Sequence, residues 1–487
     1  MHEPGETEDA ATILSSLEEA RAERVRLAGL GRWSEADETA LRALRDALSA
    51  ASPKIVGPDL AGLVYVAGSP RPGYQVRSRR VAVPPARLAA TSAMSLVNRG
   101  RERSAAVEAA QRALASFAWE DLGTFWYAVL ALVYSEELDA AKEHLHRALK
   151  LSGWGASHPH RSAMTVLQAR IAGLSGEPVR AVHLLENALR RGVFVQFAEV
   201  AVAWAVQASV DLGELDRAEN LLFAHGFGHG LDEVTDKAEV LAARGALREA
   251  SGRPQSAYED FTESGRVLAE WGVTNPAVIC WRSRAALSAA ATDRRSLAHS
   301  LADEELVQAR RWGTSAAIGS ARRAVALVSG EDRDIEEFEK AIDQLEQSRA
   351  RGTLMRARYE LGIRLTLRGR TQEGRSALTA ARDTALSLGS DVWVTRVDEA
   401  MRRWATDGNV VILTSREARV LNLAQAGLGN REVAERLRLT NSTVEFHLSN
   451  IYRKLGISGR SDLSSILVPV FDGEPRKPGT EDPTATR

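Results

Sequence analysis

The side chains best suited to chemistry with a partner lie close together, between residues 440 and 454 of a 487-residue chain. On a helix from about Asn441 to Leu455, Val444, Leu448, Ile451 and Leu455 are spaced by four, three and four, so they share one face. Ser442, Phe446, Ser449 and Arg453 then point the opposite way, with Glu445 on one shoulder and Asn450 on the other. Thr443, His447 and Lys454 line a flank. Such a helix fits the major groove of double-stranded DNA. Its outward side chains near the N-terminus meet base edges, and flanking donors meet phosphates. Glu445 departs from this logic, because a carboxylate is repelled by phosphates. It can accept from the cytosine amino group, so it is assigned to specificity. Asn430 and Thr440, just before this helix, complete the set assigned to DNA.

The surrounding residues supply the elements that would hold this helix. Thr414 can cap a first helix, with Glu417 completing a capping box, and Gly427 and Gly429 stop it. Asn430 can cap a second helix, Arg431 to Leu437, and Leu439 and Thr440 make a tight turn into the third. Gly456 is a natural stop. A fourth helix is expected over about Arg460 to Leu467, with an apolar edge of Leu463, Ile466 and Leu467 assigned to dimerisation. Two helices joined by a short turn, the second polar outside, read as a helix-turn-helix.

The landmarks Leu413-Thr-Ser-Arg-Glu417, Gly427-Leu-Gly-Asn-Arg-Glu-Val-Ala434, Thr443-Val444, His447, Ile451-Tyr-Arg-Lys-Leu-Gly456 and Arg460 fall in one order. In them the segment resembles the LuxR-type helix-turn-helix of bacterial transcription regulators. The resemblance implies a compact four-helix domain that binds DNA and forms a homodimer on it. At Glu445 the family usually has Lys, so this position departs from the pattern.

Composition fits a soluble globular protein of several domains: 44% hydrophobic and 26% charged, with a net charge of −1. The balance is uneven. Residues 410–468 hold eight Arg or Lys against five Asp or Glu, a local excess of +3 as a DNA-binding module requires. One cysteine, Cys280, permits no internal disulfide, which suits a reducing cytoplasm, and it is expected as a small buried apolar residue. No apolar run reaches the length of a membrane span; the densest, Phe125 to Tyr134, reads as one buried helix. The acidic N-terminus is unlike a secretory signal.

From about Arg87 to Trp404 the pattern is helical and repeats. The clearest unit has Gly176, Ala181, Leu185 and Ala188; aligned on that turn glycine, the next has Gly213, Leu215, Ala218 and Leu222, then come Gly252, Pro254, Ala257 and Phe261, and later Gly369, Gly374, Leu378 and Ala381. Further copies turn at Glu136, near Asp293, near Gly330 and at Gly31. Leu361-Gly362 falls seven residues before Gly369. Steps of 37 to 41 residues resemble tetratricopeptide repeats, slightly long. One helix pair cannot bury its apolar face alone, so pairs stack on their neighbours into a superhelix whose concave side is the expected binding surface. Repeats leading into this terminal domain look like the C-terminal part of the large ATP-binding LuxR regulators. The glycine spacing at Gly68 to Gly73 is followed by Tyr74 and Gln75 where a P-loop needs Lys and Ser or Thr, so no nucleotide site is expected.

Other candidates read as structural. Trp126, Trp204, Trp271 and Trp281 are assigned to the core, Arg294-Arg295 and Arg310-Arg311 to solvated faces, and His158 and His160 to a loop without a third metal ligand. The expectation is therefore an all-α chain: an N-terminal helical segment (1–52), an irregular Pro- and Gly-rich connection (53–86), repeats (87–405), a linker (406–412), the helix-turn-helix domain (413–468) and a polar tail (469–487). The expected function is a cytoplasmic DNA-binding transcription regulator, not an enzyme, with no cofactor or metal, whose repeats take a protein or small-molecule effector. A repeat-scaffold adaptor that no longer binds DNA is the alternative, and an ATPase on a separate chain is a third possibility.

Overall fold

The computed structural model describes residues 64–68, 85–116, 121–151, 153–329, 333–406, 415–425, 428–437 and 439–455, with Glu19, Glu23, Ile457, Gly459, Arg460 and Leu463. The expected N-terminal helices, linker and tail lie outside these residues. Between Pro85 and Thr406 the described regular structure is helical, apart from a short 3-10 turn at Val195–Phe197. Eight helix pairs follow one another: α1 Pro85–Arg99 and α2 Arg103–Ser116; α3 Leu122–Tyr134 and α4 Leu138–Leu149; α5 His158–Leu174 and α6 Pro178–Arg191; α7 Ala198–Leu212 and α8 Leu215–Ala224; α9 Lys237–Ala250 and α10 Pro254–Glu270; α11 Trp281–Ala291 and α12 Arg295–Trp312; α13 Ser315–Val328 and α14 Asp334–Glu346; α15 Arg351–Leu367 and α16 Thr371–Ser387. A single helix, α17 Asp391–Thr406, closes the series.

The turns within pairs explain why the pattern repeats. Gly176, Gly213, Gly252 and Gly369 are all left-handed, with φ from +72° to +86°, and so are Glu136 and Asp293 at +67° and +62°. Beside each, an amide reaches back five residues to a helix carbonyl: Glu137 to Leu132, Glu177 to Ala172, Glu214 to Ser209, Arg253 to Arg248, Arg294 to Ala289 and Arg370 to Leu365. This is the Schellman closure of a helix C-terminus. A left-handed Glu costs roughly 1–2 kcal/mol, and at Glu136 a distant contact offsets it. Its carboxylate accepts from the Ala316 amide at 3.1 Å, satisfying a free N–H in the first turn of α13.

Most aligned repeat positions form the seam between helices, while Ala188, Leu215 and Pro254 are half-buried. Ala141, Leu145, Ala181, Leu185, Ala218, Leu222, Ala257, Phe261, Leu378 and Ala381 are all buried. Gly362 lets the paired helix in: a Cβ there would meet Leu378 at 2.7 Å and the Gly374 carbonyl at 3.0 Å. Helix α3 is buried from Thr124 to Tyr134, as its apolar run requires. Trp126 and Trp204 are buried, while Trp271 and Trp281 are half-buried against the core.

The pairs do not contact only their neighbours, which corrects the expectation for a simple stack. Asn275 Nδ2 donates to the Val97 carbonyl at 2.7 Å, Trp312 Nε1 to Tyr134 at 2.8 Å and Ser390 Oγ to Leu212 at 2.8 Å, each across 178 residues. In each case the turn of one pair meets a junction between later pairs. The coil thus closes on itself once per 178 residues. Its interior receives Val64 to Gly68, which are buried and non-helical. This segment is gripped by its backbone: Asn98 donates to the Tyr65 carbonyl, Trp126 to Ala67 and Gln196 to Gly68, and the Gly68 amide donates to Asp236.

Two further readings need correction. His158 and His160 lie in the first turn of α5 and not in a loop. There, His158 bonds the Gly192 carbonyl and His160 bonds Ser157 Oγ. Cys280 is half-buried and not a core residue, because the junction before α11 faces an internal cavity. Arg295, Arg310 and Arg311 are exposed, whereas the Arg294 guanidinium covers the Tyr258 ring at 3.9 Å. The cross-coil bonds carry a testable cost. Trp312→Phe leaves the buried Tyr134 carbonyl without this donor and should destabilise the protein by about 1–3 kcal/mol. Thermal unfolding measures it, and an unchanged midpoint would show that coil closure does not depend on this bond.

Candidate nucleic-acid interface

Three helices build the C-terminal unit: α18 Ser415–Gln425, α19 Asn430–Leu437 and α20 Asn441–Leu455. Val420, Leu421 and Ala424 from α18, Val433 and Ala434 from α19, and Val444, Leu448 and Ile451 from α20 form one buried cluster. The four-three spacing in α20 therefore faces the other two helices, as its period requires.

The caps differ from the expectation. Helix α19 takes its first backbone acceptor from Gly429, whose carbonyl receives the Val433 amide. The Gly429 amide donates to Glu432 Oε2 at 2.6 Å, the reciprocal half of a capping box. Asn430 therefore sits inside the helix and is not its cap. Its side-chain oxygen instead accepts from Arg460 at 2.7 Å, and Arg460 also bonds the Leu428 carbonyl. Thr440 is the cap of α20. Its carbonyl receives the amides of Thr443 and Val444, and its hydroxyl lies 3.2 Å from the Thr443 amide and 2.7 Å from the Thr443 hydroxyl. The tight turn is closed by the Leu439 amide on the Ala434 carbonyl.

The opposite face of α20 is open. Ser442, Glu445, Phe446, Ser449 and Arg453 are exposed, and Thr443, His447 and Asn450 are half-exposed. Phe446 has 65% of its surface in solvent, a large apolar side chain left largely uncovered among the described residues. Glu445 accepts only a long bond from Asn441, at 3.4 Å, and Arg453 reaches Asn450 at 3.3 Å. Arg419, Arg431 and Arg436 add exposed cations on the flanking helices. Lys454 lies in α20, but its side chain is outside the described residues. The arrangement can offer hydroxyls, an amide, a carboxylate and an apolar ring to a groove, with guanidinium groups at the margin.

Leu463 does not stand on an outer edge. It is buried in the same cluster as α18 to α20, and its carbonyl accepts from Gln425 Nε2 at 3.2 Å. Its assignment to dimerisation is corrected: a small domain spends the inner side of its last segment on its own core. Ile466 and Leu467 lie outside the described residues. The Arg460 clamp on Asn430 and Leu428 was missed from sequence, where Arg460 stood only as a landmark of resemblance.

Residues 411–467 match the family described as bacterial regulatory proteins, luxR family. Over 48 residues the chain is 48% identical to the Fimbriae Z protein of Escherichia coli, covering 10% of this chain and 23% of that protein. It is 34% identical over 76 residues to the nitrate/nitrite response regulator protein NarP of Escherichia coli, covering 15% and 35%. It is 42% identical over 52 residues to the oxygen regulatory protein NreC of Staphylococcus aureus, covering 11% and 24%. The chain thus spans between 23% and 35% of the length of these curated relatives. Among solved structures it is similar to a Rap protein complexed with competence and sporulation factor, at a TM-score of 0.45 and 13% identity, covering 70% of this chain and 99% of that one. The family match and the packing of α18 to α20 together identify the C-terminal unit as a LuxR-type helix-turn-helix.

Proposed function

We propose that this protein is a DNA-binding transcription regulator of the cytoplasm. Helix α20 enters the major groove, and the repeat coil takes an effector. One observation carries the reading: a helix matched to a regulator family buries Val444, Leu448 and Ile451 and leaves a polar face with an uncovered Phe446. Ser442, Glu445, Phe446 and Ser449 meet base edges. Phe446 suits a thymine methyl group and Glu445 a cytosine amino group. Thr443, His447, Asn450, Arg453 and Lys454 lie along the backbone-contacting margin. Thr440 and Asn430 serve mainly to build the helix start and the clamp, with the Asn430 amide nitrogen left as a donor. The division into repeats (87–405), linker (406–412) and DNA-binding domain (413–468) belongs to the same proposal. No helix among the described residues is long and apolar enough to cross a membrane.

Binding to promoter DNA measured across salt concentrations tests this reading against an adaptor that has lost DNA binding. Counterion release predicts a steep loss of affinity with salt. A flat dependence, with no preference among sequences, would favour the adaptor. Arg453→Ala and Lys454→Ala should each weaken binding to all sequences and lower the salt slope by about one unit. Unchanged slopes in both variants would contradict the phosphate assignment. Glu445→Gln separates specificity from affinity. If Glu445 reads a cytosine, discrimination at one base position falls by about 1–3 kcal/mol, seen by comparing single-base variants of the site.

The protein is further proposed to bind as a two-fold dimer, with recognition helices roughly 34 Å apart on a pseudo-palindromic site. With Leu463 buried, Ile466 and Leu467 or the repeats supply the interface. Footprinting with mass measurement at saturation decides it. Two protected half-sites are expected, and one half-site with one protein per DNA would rule the dimer out. If two copies bind and Leu467→Glu leaves them paired, the repeats carry the contact.

A further inference from the structure

Coil closure forms a partly open cavity of about 320 Å³, walled by the inner helices α3, α5, α7, α9, α11, α13 and α15. That volume is at the small end of small-molecule ligand sites. Its polar groups fall into two sets. In the first, Arg284, Arg323 and Arg356 each have a carboxylate: Glu249 at 2.7 Å, Glu360 at 2.7 Å and Asp211 at 2.9 Å. These guanidinium charges are already matched.

The second set is open. Arg170 lies with its guanidinium carbon 4.7 Å from the centre of the Trp204 ring and makes no hydrogen bond or ion pair among the described residues. Trp204 Nε1 donates to Glu239 Oε2 at 3.2 Å, which fixes that carboxylate beside the indole. The other Glu239 oxygen, Arg170 Nε and the Tyr134 hydroxyl are buried without a partner, although Glu239 and Tyr134 are only 5% and 2% exposed. Buried polar groups in native interiors are paired, so open ones in a cavity wall call for an occupant. Burial pushes the Glu239 carboxyl above its usual range, and the positive charge of Arg170 and the bond from Trp204 pull it back only in part. The same wall carries an apolar surface, from Trp204 and residues such as Ala203, Ala243 and Val278.

A ligand that satisfies this wall has an anion for Arg170, an ammonium or N–H group for Glu239, and a small apolar body. We propose that the cavity binds an amino-acid-like zwitterion, its carboxylate forked onto Arg170 and its amino group on Glu239. Guanidinium and carboxylate pair in two parallel bonds, so Arg170 and Glu239 each gain a hydrogen-bonding partner of opposite charge. This rests on the reading that the repeats take an effector, and it names the effector's class.

The test uses the full chain and the twenty standard L-amino acids as probes, each at millimolar concentration, with thermal unfolding and tryptophan fluorescence as readouts. The N-acetylated and decarboxylated forms of any hit are run beside it. At least one amino acid should raise the melting temperature saturably by several degrees, because a ligand that binds only the folded state stabilises it. Both blocked forms should fail. Arg170→Met should abolish the shift, and Glu239→Gln should weaken it about tenfold, the cost of one charge-assisted bond. Arg170→Lys, which keeps the charge and loses the fork, should bind weakly and guards against a misfolded Met variant. No shift with any probe overturns the proposal, as does equal binding of a blocked form or undiminished binding by both Arg170 variants. DNA binding measured on the same preparation separates the outcomes. If DNA binding persists without any amino-acid shift, only the ligand class fails; if DNA binding is absent, the regulator reading fails.

Discussion

Closure of the coil rests on hydrogen bonds between successive turns, among them those from Asn275, Trp312 and Ser390, each to a main-chain carbonyl 178 residues earlier. A helix-repeat protein held only by contacts between neighbours can flex along its length like a spring. Here successive coils are joined, so bending one pair strains its partner a full turn away. The joints fall where left-handed turns present helix carbonyls that no helix amide can reach. Indole, amide and hydroxyl donors meet those carbonyls, and the Glu136 carboxylate meets the free amides of α13 in return. Helix ends are thus capped by distant parts of the chain, and the coil's interior narrows to a partly open cavity.

Enclosure changes the chemistry available inside. On an open concave face, Arg170 and Glu239 would be solvated and need no partner. Lining the cavity that coil closure forms, they are held near Trp204 with one Glu239 oxygen and Arg170 Nε unpartnered. The DNA-facing side works by the opposite principle. The outer face of α20 is exposed, its polar groups bear few internal bonds, and Phe446 stands in water. One end of the chain keeps its open groups in solvent, and the other keeps them in the wall of a small cavity.

Much of this could be read from sequence, and what could not has physical reasons. Turn positions were legible because a left-handed residue leaves a mark, usually glycine, at a fixed register. Glu136 and Asp293 were found by register alone, although neither residue favours that conformation. The recognition helix was legible because Val444, Leu448 and Ile451 follow the helical period. Coil closure was not, since Trp312 and Tyr134 carry no pattern linking residues 178 apart. Leu463 was misassigned because apolar spacing marks a face without saying whether it turns inward or outward. Asn430 was read as a cap from residue type, whereas Gly429 and Glu432 do that work through the backbone. Cys280 reads as a core residue from its type alone, and only the cavity it lines shows why it is half-buried.

The central claim is that the exposed face of α20 directs this protein to chosen DNA sites. Mapping the DNA bound by the protein across the genome of its native cell, with and without residues 413–468, tests it most directly. The account predicts discrete sites upstream of genes that share a short sequence motif, and their loss from the truncated protein. An occupancy profile unchanged by that truncation, or no enrichment anywhere with the intact chain, would contradict it.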